Sequence, residues 1–435
     1  MIYPVDNLDD AYNACHPDKP LESGDPRYLD LNNVRNKKSV DTLARQIKRA
    51  NKGGDFCKQL VTGHTGCGKS TELKRLKKRL EDDGYFVIFL DVENSLDLQQ
   101  ITYQDVLLNL AQGAIEALAS ANIELNKDFL DELDLLLAEK IVTQEYIKEA
   151  KASLELKAEA GISIFNIGKL FGKILGEVRS GSSHREQIRK RIKDIQPIFI
   201  AKLNELLASA RSKLNDKNFT NLVIIVDGLE KIRDSRTYNE LFIEHAEQLN
   251  EIDGHILYTI PIALFFNANL GDVFANDVFF MPMIKYDTPE GKQYLTDLVN
   301  KRIQTALLFE DPRLLDRLIA MSGGSIRDLL RLIRTASETE ENKIRAEDID
   351  RSISHLVKEF DRLIKEDDIP LLEKIAADRR VIKDKEKRYE QLLGLRLVNE
   401  YENGKPWADL HPALKRIQWL QDKFAAIRNA QNPNP

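Results

Sequence analysis

Residues Gly63, His64, Thr65, Gly66, Cys67, Gly68, Lys69 and Ser70 fit the pattern G-x-x-x-x-G-K-[ST], and the chemistry of that pattern is phosphate binding. Its glycines let the backbone wrap so closely that its N–H groups converge on an anion, and a helix starting at its end adds partial positive charge. Lys69 is then placed for the β- and γ-phosphates of a nucleotide, and the Ser70 hydroxyl for one position on Mg²⁺. Thr71, the next residue, completes the candidate set. The expected ligands are ATP or ADP with Mg²⁺.

A phosphate loop that supports hydrolysis also needs carboxylates. Asp227 closes the apolar run Asn221–Asp227, where a strand-end carboxylate would lie beside the loop and hold Mg²⁺ directly or through water. A further acidic group must orient the attacking water. Glu230, in Asp227-Gly-Leu-Glu230, is the nearest candidate, and Glu93, just beyond the run Tyr85–Asp91, is a second. The spacing alone does not choose between them.

These residues need a scaffold that brings strand ends together. Phe56–Thr62 is an apolar strand-like segment, and the runs Tyr85–Asp91, Asn221–Asp227 and His255–Ile260 are short and continuously apolar, the pattern of strands buried on both faces. Val278–Ile284 is a fifth, which Pro282 confines to an edge or a strand end. With helical segments between them, such as Glu72–Leu80, they predict an α/β fold built on a parallel sheet, with ligands beyond the strands' carboxyl ends. The ATPase domain so defined spans residues 1–285.

Between Asp91 and Asn221 the chain far exceeds one crossover. Leu107–Leu118, Phe129–Ile141 and Ile188–Leu214 carry apolar residues at helical spacing, predicting a helical insertion over about 103–218. Within it, residues 160–176 are glycine-rich and apolar with only Lys169 and Lys173 charged. A buried helix or local hairpin is the simple expectation; contact with a membrane interface or a partner is the alternative. Beyond Tyr286, the amphipathic segments Pro289–Arg302, Arg313–Met321, Ser325–Thr335 and Ala346–Leu363 predict a helical lid over 286–364. Helical stretches at Pro370–Ala377 and Lys383–Leu393, then two β-like runs around Asn403-Gly404, predict a C-terminal winged helix over 365–425. The polar 426–435 tail, Pro-rich at its end, is expected to be disordered.

The 435 residues, 42% hydrophobic and 31% charged, describe a globular chain of more than one domain. A net charge of −6 gives no global attraction to nucleic acid or acidic lipid, so such contact needs a local patch. Cys15, Cys57 and Cys67 show no metal-ligand spacing. With no secretory signal pattern in residues 1–20 and no apolar stretch of membrane-spanning length, a reducing, cytoplasmic setting is expected.

Taken together, the phosphate loop, the Asp227-Gly-Leu-Glu230 strand end, the polar Thr259 on the next strand and the run Gly323-Gly-Ser-Ile-Arg-Asp328 resemble the AAA+ class of ATPases. The C-terminal winged helix makes the chain similar to its signal-transducing (STAND) and origin-recognition, Cdc6-like members. That resemblance implies that Thr259 is the sensor-1 residue and Arg327 the lid arginine reaching the γ-phosphate. It also implies that His411 in Asp409-Leu-His-Pro412 holds ADP in a closed state, and that Arg27 and Tyr28 lie near the adenine. Arg233, Arg236 and Arg302 are the candidates for an arginine acting in trans. One departure stands out: this class usually places glutamate directly after the strand-end aspartate, and here Gly228 stands there. The resemblance further implies a switch working with a protein effector or as a self-oligomer, in many bacterial cases in antiviral defence. The rival reading is a DNA-loading ATPase, for which Arg379, Arg380, Lys383, Lys385, Lys387 and Arg388 would supply the basic face of a recognition helix.

Overall fold

The computed structural model describes residues 2–31, 34, 39–153, 163–266, 270–274, 278–380, 388–403 and 405–431. Its centre is a five-stranded sheet in the order β2-β3-β4-β1-β5, formed by β1 (Lys58–Gly63), β2 (Phe86–Asp91), β3 (Leu222–Asp227), β4 (His255–Thr259) and β5 (Phe279–Met281). Every pairing is parallel. All residues of β1, β3 and β4 are buried, Lys58 and Gln59 of β1 among them, and the run of β3 is apolar without alternation for that reason. Register sets the site: Val61 of β1 lies opposite Thr259 of β4, and Asp91 of β2 opposite Asp227 of β3. Strand-end residues far apart in sequence thus share one edge of the sheet. β5 lies at the edge, as Pro282 required.

Among the described residues the insertion is helical. Its segment Ile164–Ser180 is one helix that buries Ile164, Ile167, Leu170, Phe171, Ile174, Leu175 and Val178. It packs on the helix Tyr103–Ser120 so closely that a Cβ on Gly168 would stand 3.3 Å from Ile115 Cγ2. The apolar face of this stretch is therefore used inside the insertion; residues 160–162 lie outside the described residues. A buried ion pair of 2.6 Å between Arg189 and Asp105 ties a third helix, Arg185–Asp194, to the same core. Among the described residues no helix is long and apolar enough to cross a membrane.

The stretch Ile188–Leu214, read as helical, lies on two helices, Arg185–Asp194 and Gln196–Asp216, separated at Ile195. Pro197 explains the break, since its ring is tolerated in a first turn and not in a helix interior.

The lid consists of Pro289–Asn300, Leu314–Ser322, Ile326–Ala336 and Ala346–Asp361. Gly323 and Gly324 take φ of 60° and 83°, and a Cβ on Gly324 would fall 1.8 Å from Ile284 O, so only glycine lets the lid approach the strand exit this closely. Two helices, Ile369–Asp378 and Arg388–Gly394, and an antiparallel hairpin of β6 (Val398–Asn403) and β7 (Lys405–Leu410) follow. Residues 381–387, and with them Lys383, Lys385 and Lys387, lie outside the described residues. The tail expectation is corrected: a helix runs from Gln418 to Gln431. Leu420 and Phe424 are buried, and Arg428 bonds Glu373 at 2.7 Å. Two anchoring residues in a polar stretch are too few to read as an amphipathic repeat. Residues 432–435 lie outside the described residues.

Candidate nucleotide site

The phosphate loop joins β1 to the helix Lys69–Asp82. Gly66 and Gly68 take φ of 88° and 98°, in the left-handed region that favours glycine. Cys67 is fully buried in the cluster beneath the loop with Val61 and Leu73, so it offers a ligand its backbone only. Lys69 is 4% exposed, and its Nζ donates to Gly63 O at 2.9 Å and His64 O at 3.1 Å. It also stands 3.8 Å from Glu230 Oε1.

The acidic side of the site comes from β3. Asp227 is 5% exposed, has the Ser70 hydroxyl near enough to favour its carboxylate form, and keeps Oδ1 buried without a hydrogen-bond partner. Burial, with the nearby Glu230 charge second, pushes its carboxyl well above the usual range. Glu230 responds in the opposite direction. Burial alone would raise it, but Lys69 and the Thr259 hydroxyl together hold it below its ordinary value. A short turn at Leu229–Lys231 aims this carboxylate back at the loop: Gly228 N donates to Glu230 Oε2 at 3.1 Å and to Thr259 Oγ1 at 2.9 Å.

Glu93 is elsewhere. Its side chain is 54% exposed and pairs with Lys231, outside the cluster. Of the two carboxylates the sequence left open, Glu230 is the one beside Lys69 and Thr259.

The donor set fits Mg²⁺ and a nucleotide phosphate chain. Asp227 supplies an unpartnered oxygen, Ser70 a hydroxyl, Lys69 a cation, and the loop a cradle with no room for side chains at Gly63 or Gly66. A Cβ on Gly63 would lie 2.4 Å from Met281 O.

The lid helix Ile326–Ala336 begins on the loop itself. Arg327 N donates to Gly66 O at 3.2 Å, and a Cβ on Gly66 would lie 2.7 Å from Arg327 Cβ. The guanidinium pairs with Asp18 at 3.3 Å, while its Nε is buried without a partner. In the first turn of the helix Lys69–Asp82, Leu21 N donates to Thr71 Oγ1 at 3.1 Å, and the Tyr28 hydroxyl donates to Glu72 at 3.0 Å. Arg27 pairs with Asp25 at 2.6 Å.

His411 is fully buried. Its Nδ1 accepts from Ala413 N at 3.2 Å, its Nε2 faces Asp328 at 3.7 Å, and its ring stacks on Phe360 with centroids 4.0 Å apart. Asp328 also binds Arg396 at 2.5 Å. Burial opposes the charge on Asp328, but Arg396 overrides it and holds the carboxyl below its ordinary range. Asp328 and Arg396 were not legible as site residues; the position of Asp328 next to Arg327 was the available signal.

Arg302 is corrected as a trans-acting candidate. It is 4% exposed and donates to Arg27 O at 3.2 Å and Leu298 O at 2.7 Å. Arg233 and Arg236, just past Glu230, are both exposed. Of the basic residues assigned to a recognition helix, Arg379 pairs with Asp409 at 3.1 Å and lies over the Trp407 ring, and Arg388 donates to Asp367 O at 2.6 Å.

The chain matches no protein-family model, and no curated protein matches it. Solved structures that align along its length include the Orc1 protein of Aeropyrum pernix in complex with DNA, at 15% identity and TM-score 0.42, covering 95% of this chain and 97% of that one. A Walker-type ATPase of Pyrococcus abyssi, PABY2304, aligns at 13% identity and TM-score 0.41, covering 91% and 99%. Cdc6p of Pyrobaculum aerophilum aligns at 12% identity and TM-score 0.38, covering 96% and 98%. At such scores the likeness is coarse, and the functional reading rests on the residues themselves.

Proposed function

We propose that this protein is a Mg²⁺-dependent, ATP-binding and ATP-hydrolysing switch of the AAA+ type, with STAND-like closure of its C-terminal module. The observation that carries the reading is the convergence of Lys69, Ser70, Asp227, Glu230 and Thr259 at one end of a parallel sheet, under a lid helix that bonds the phosphate loop.

Each residue then has a task. The loop N–H groups and Lys69 bind the β- and γ-phosphates, for which Lys69 exchanges its bonds to Gly63 O and His64 O. Ser70 and Asp227 hold Mg²⁺, which when bound neutralises charge developing on the phosphate oxygens. Glu230, kept ionised by Lys69 and Thr259, orients water for attack on the γ-phosphorus, so that the bond to the β–γ bridging oxygen breaks and ADP and phosphate leave. Arg327 turns from Asp18 to the γ-phosphate when the lid tightens. Arg233 and Arg236, exposed beside the Glu230 turn, fit a role toward a second copy or a protein effector.

Titration of ATP by calorimetry tests the reading. Charge-assisted contacts are worth about 1.5–3 kcal/mol each, so Lys69→Ala should weaken ATP by more than about tenfold. Equal affinity in the variant would sink the phosphate-loop assignment.

A further inference from the structure

The loop residue His64 makes a contact that phosphate binding does not require. Its Nε2 accepts the backbone N–H of Glu400, in β6, at 2.8 Å, across 336 residues of sequence. His64 is fully buried, and its Nδ1 has no hydrogen-bond partner. Burial, with Lys69 and Arg396 nearby, lowers its pKa to about 3, so the ring is neutral at any physiological pH. A neutral imidazole that accepts at Nε2 must carry its proton on Nδ1. The docked hairpin therefore fixes the tautomer of a phosphate-loop residue and leaves a buried N–H donor without an acceptor.

The contact belongs to a seam. The Tyr401 hydroxyl donates to Gly323 O at 2.7 Å, and the Tyr401 ring is buried in the same cluster as Val61, Cys67 and Leu73 beneath the loop. The Glu400 carboxyl turns the other way and accepts from the Tyr389 hydroxyl at 2.5 Å. The Glu400 N–H thus goes to His64, not to the β6–β7 ladder.

We propose that His64 is a positioning residue that couples occupancy of the phosphate loop to docking of the C-terminal hairpin: a bound nucleoside diphosphate and the docked hairpin each favour the other through its ring. This rests on the nucleotide reading above. The physical argument is that phosphates drawn into the loop take Lys69 from His64 O and bring negative charge close to a ring already held as the Nδ1–H donor. Hairpin release frees Nε2 and lets the tautomer relax, so the loop loses a preset geometry. By linkage, the effect must be equal in both directions.

The experiment uses the full chain and ADP. Amide exchange over residues 397–403 should slow severalfold on adding ADP to the parent protein. In His64→Leu, which lacks the acceptor, saturating ADP should leave that exchange unchanged. The reciprocal arm keeps the loop intact: Glu400→Pro removes the N–H at a position outside the ladder, and Glu400→Gln retains it. Glu400→Pro should bind ADP severalfold more weakly than Glu400→Gln in calorimetry. Should either His64→Leu fail to bind ADP or Glu400→Pro fail to fold, the other arm decides. Equal ADP affinity of the two Glu400 variants, or the same ADP-induced slowing in His64→Leu as in the parent, would overturn the coupling and leave the nucleotide reading standing. Failure of the parent protein to bind ADP would overturn both.

Discussion

Lys69 Nζ and Glu230 Oε1 lie 3.8 Å apart with side chains 3% and 6% exposed, so a nearly dry ion pair joins the phosphate loop to the turn after β3. A nucleotide phosphate arriving in the loop competes for the same cation. Glu230, whose charge Lys69 and the Thr259 hydroxyl favour against burial, would then be released from that pair. The opposite shifts of Asp227 and Glu230 suit the separate roles proposed for them, Asp227 holding Mg²⁺ once it has lost its proton and Glu230 orienting water.

The pH dependence of Mg²⁺ binding follows from that difference. Asp227 holds its proton up to about pH 7 in the folded protein, and only the carboxylate binds a divalent cation. Mg²⁺-supported ATP affinity should therefore rise with pH through the neutral range and level off above it. Binding at pH 6.5 should release a proton, seen in calorimetry as a heat that depends on the buffer's ionisation enthalpy. Asp227→Asn should abolish both the Mg²⁺ requirement and the proton release; a persistent release would assign it to another group.

Glu400 gives a stability prediction. Burial raises its carboxyl from 4.5 to about 7, so the folded state binds a proton more tightly than the unfolded chain. Stability from this group is fully present below pH 4.5 and is lost as pH rises through 7. Glu400→Gln, which can still accept from Tyr389, should be more stable than the parent at pH 8 by on the order of 2–3 kcal/mol and nearly equal to it at pH 4.5. Urea melts at the two pH values check this. A constant difference would mean that Glu400 ionises freely in the fold.

Arg327 should discriminate between nucleotides. Its backbone is fixed on Gly66, while its guanidinium is held by Asp18, whose side chain is 63% exposed. An exposed ion pair is worth about 0–1 kcal/mol, little enough for a γ-phosphate to displace. Arg327→Ala should weaken ATP severalfold and ADP hardly at all, and Asp18→Ala should not weaken ATP. Equal losses for both nucleotides in Arg327→Ala would remove it from γ-phosphate sensing.

What the sequence revealed was mostly local. The phosphate loop, the buried strands and the hairpin around Asn403 are written in consecutive residues, because tight turns and continuously apolar runs need particular neighbours. The choice between Glu230 and Glu93 was not, since both follow strand ends. It depends on a three-residue turn that folds Glu230 back while Glu93 goes out to Lys231. Arg302 read like any helical arginine until the packing of residue 27 against it buried its head group. His411 carried a family resemblance, yet the structure seats it on Asp328 and Phe360. The bond from His64 to Glu400 had no sequence signature, because its donor is a backbone N–H that every residue but proline possesses.

The most direct test of the account is the steady-state rate of ATP hydrolysis in the parent, Glu230→Gln and Glu93→Gln, with ATP affinity measured alongside. The geometry predicts that Glu230→Gln binds ATP at least as tightly as the parent, since Lys69 loses a competing charge, and hydrolyses it at least about a hundredfold more slowly, the low end for loss of a positioned base. Glu93→Gln, which removes only a surface ion pair, should match the parent in both. Parental turnover in Glu230→Gln, or loss of turnover in Glu93→Gln alone, would contradict the assignment of Glu230 as the residue that orients water.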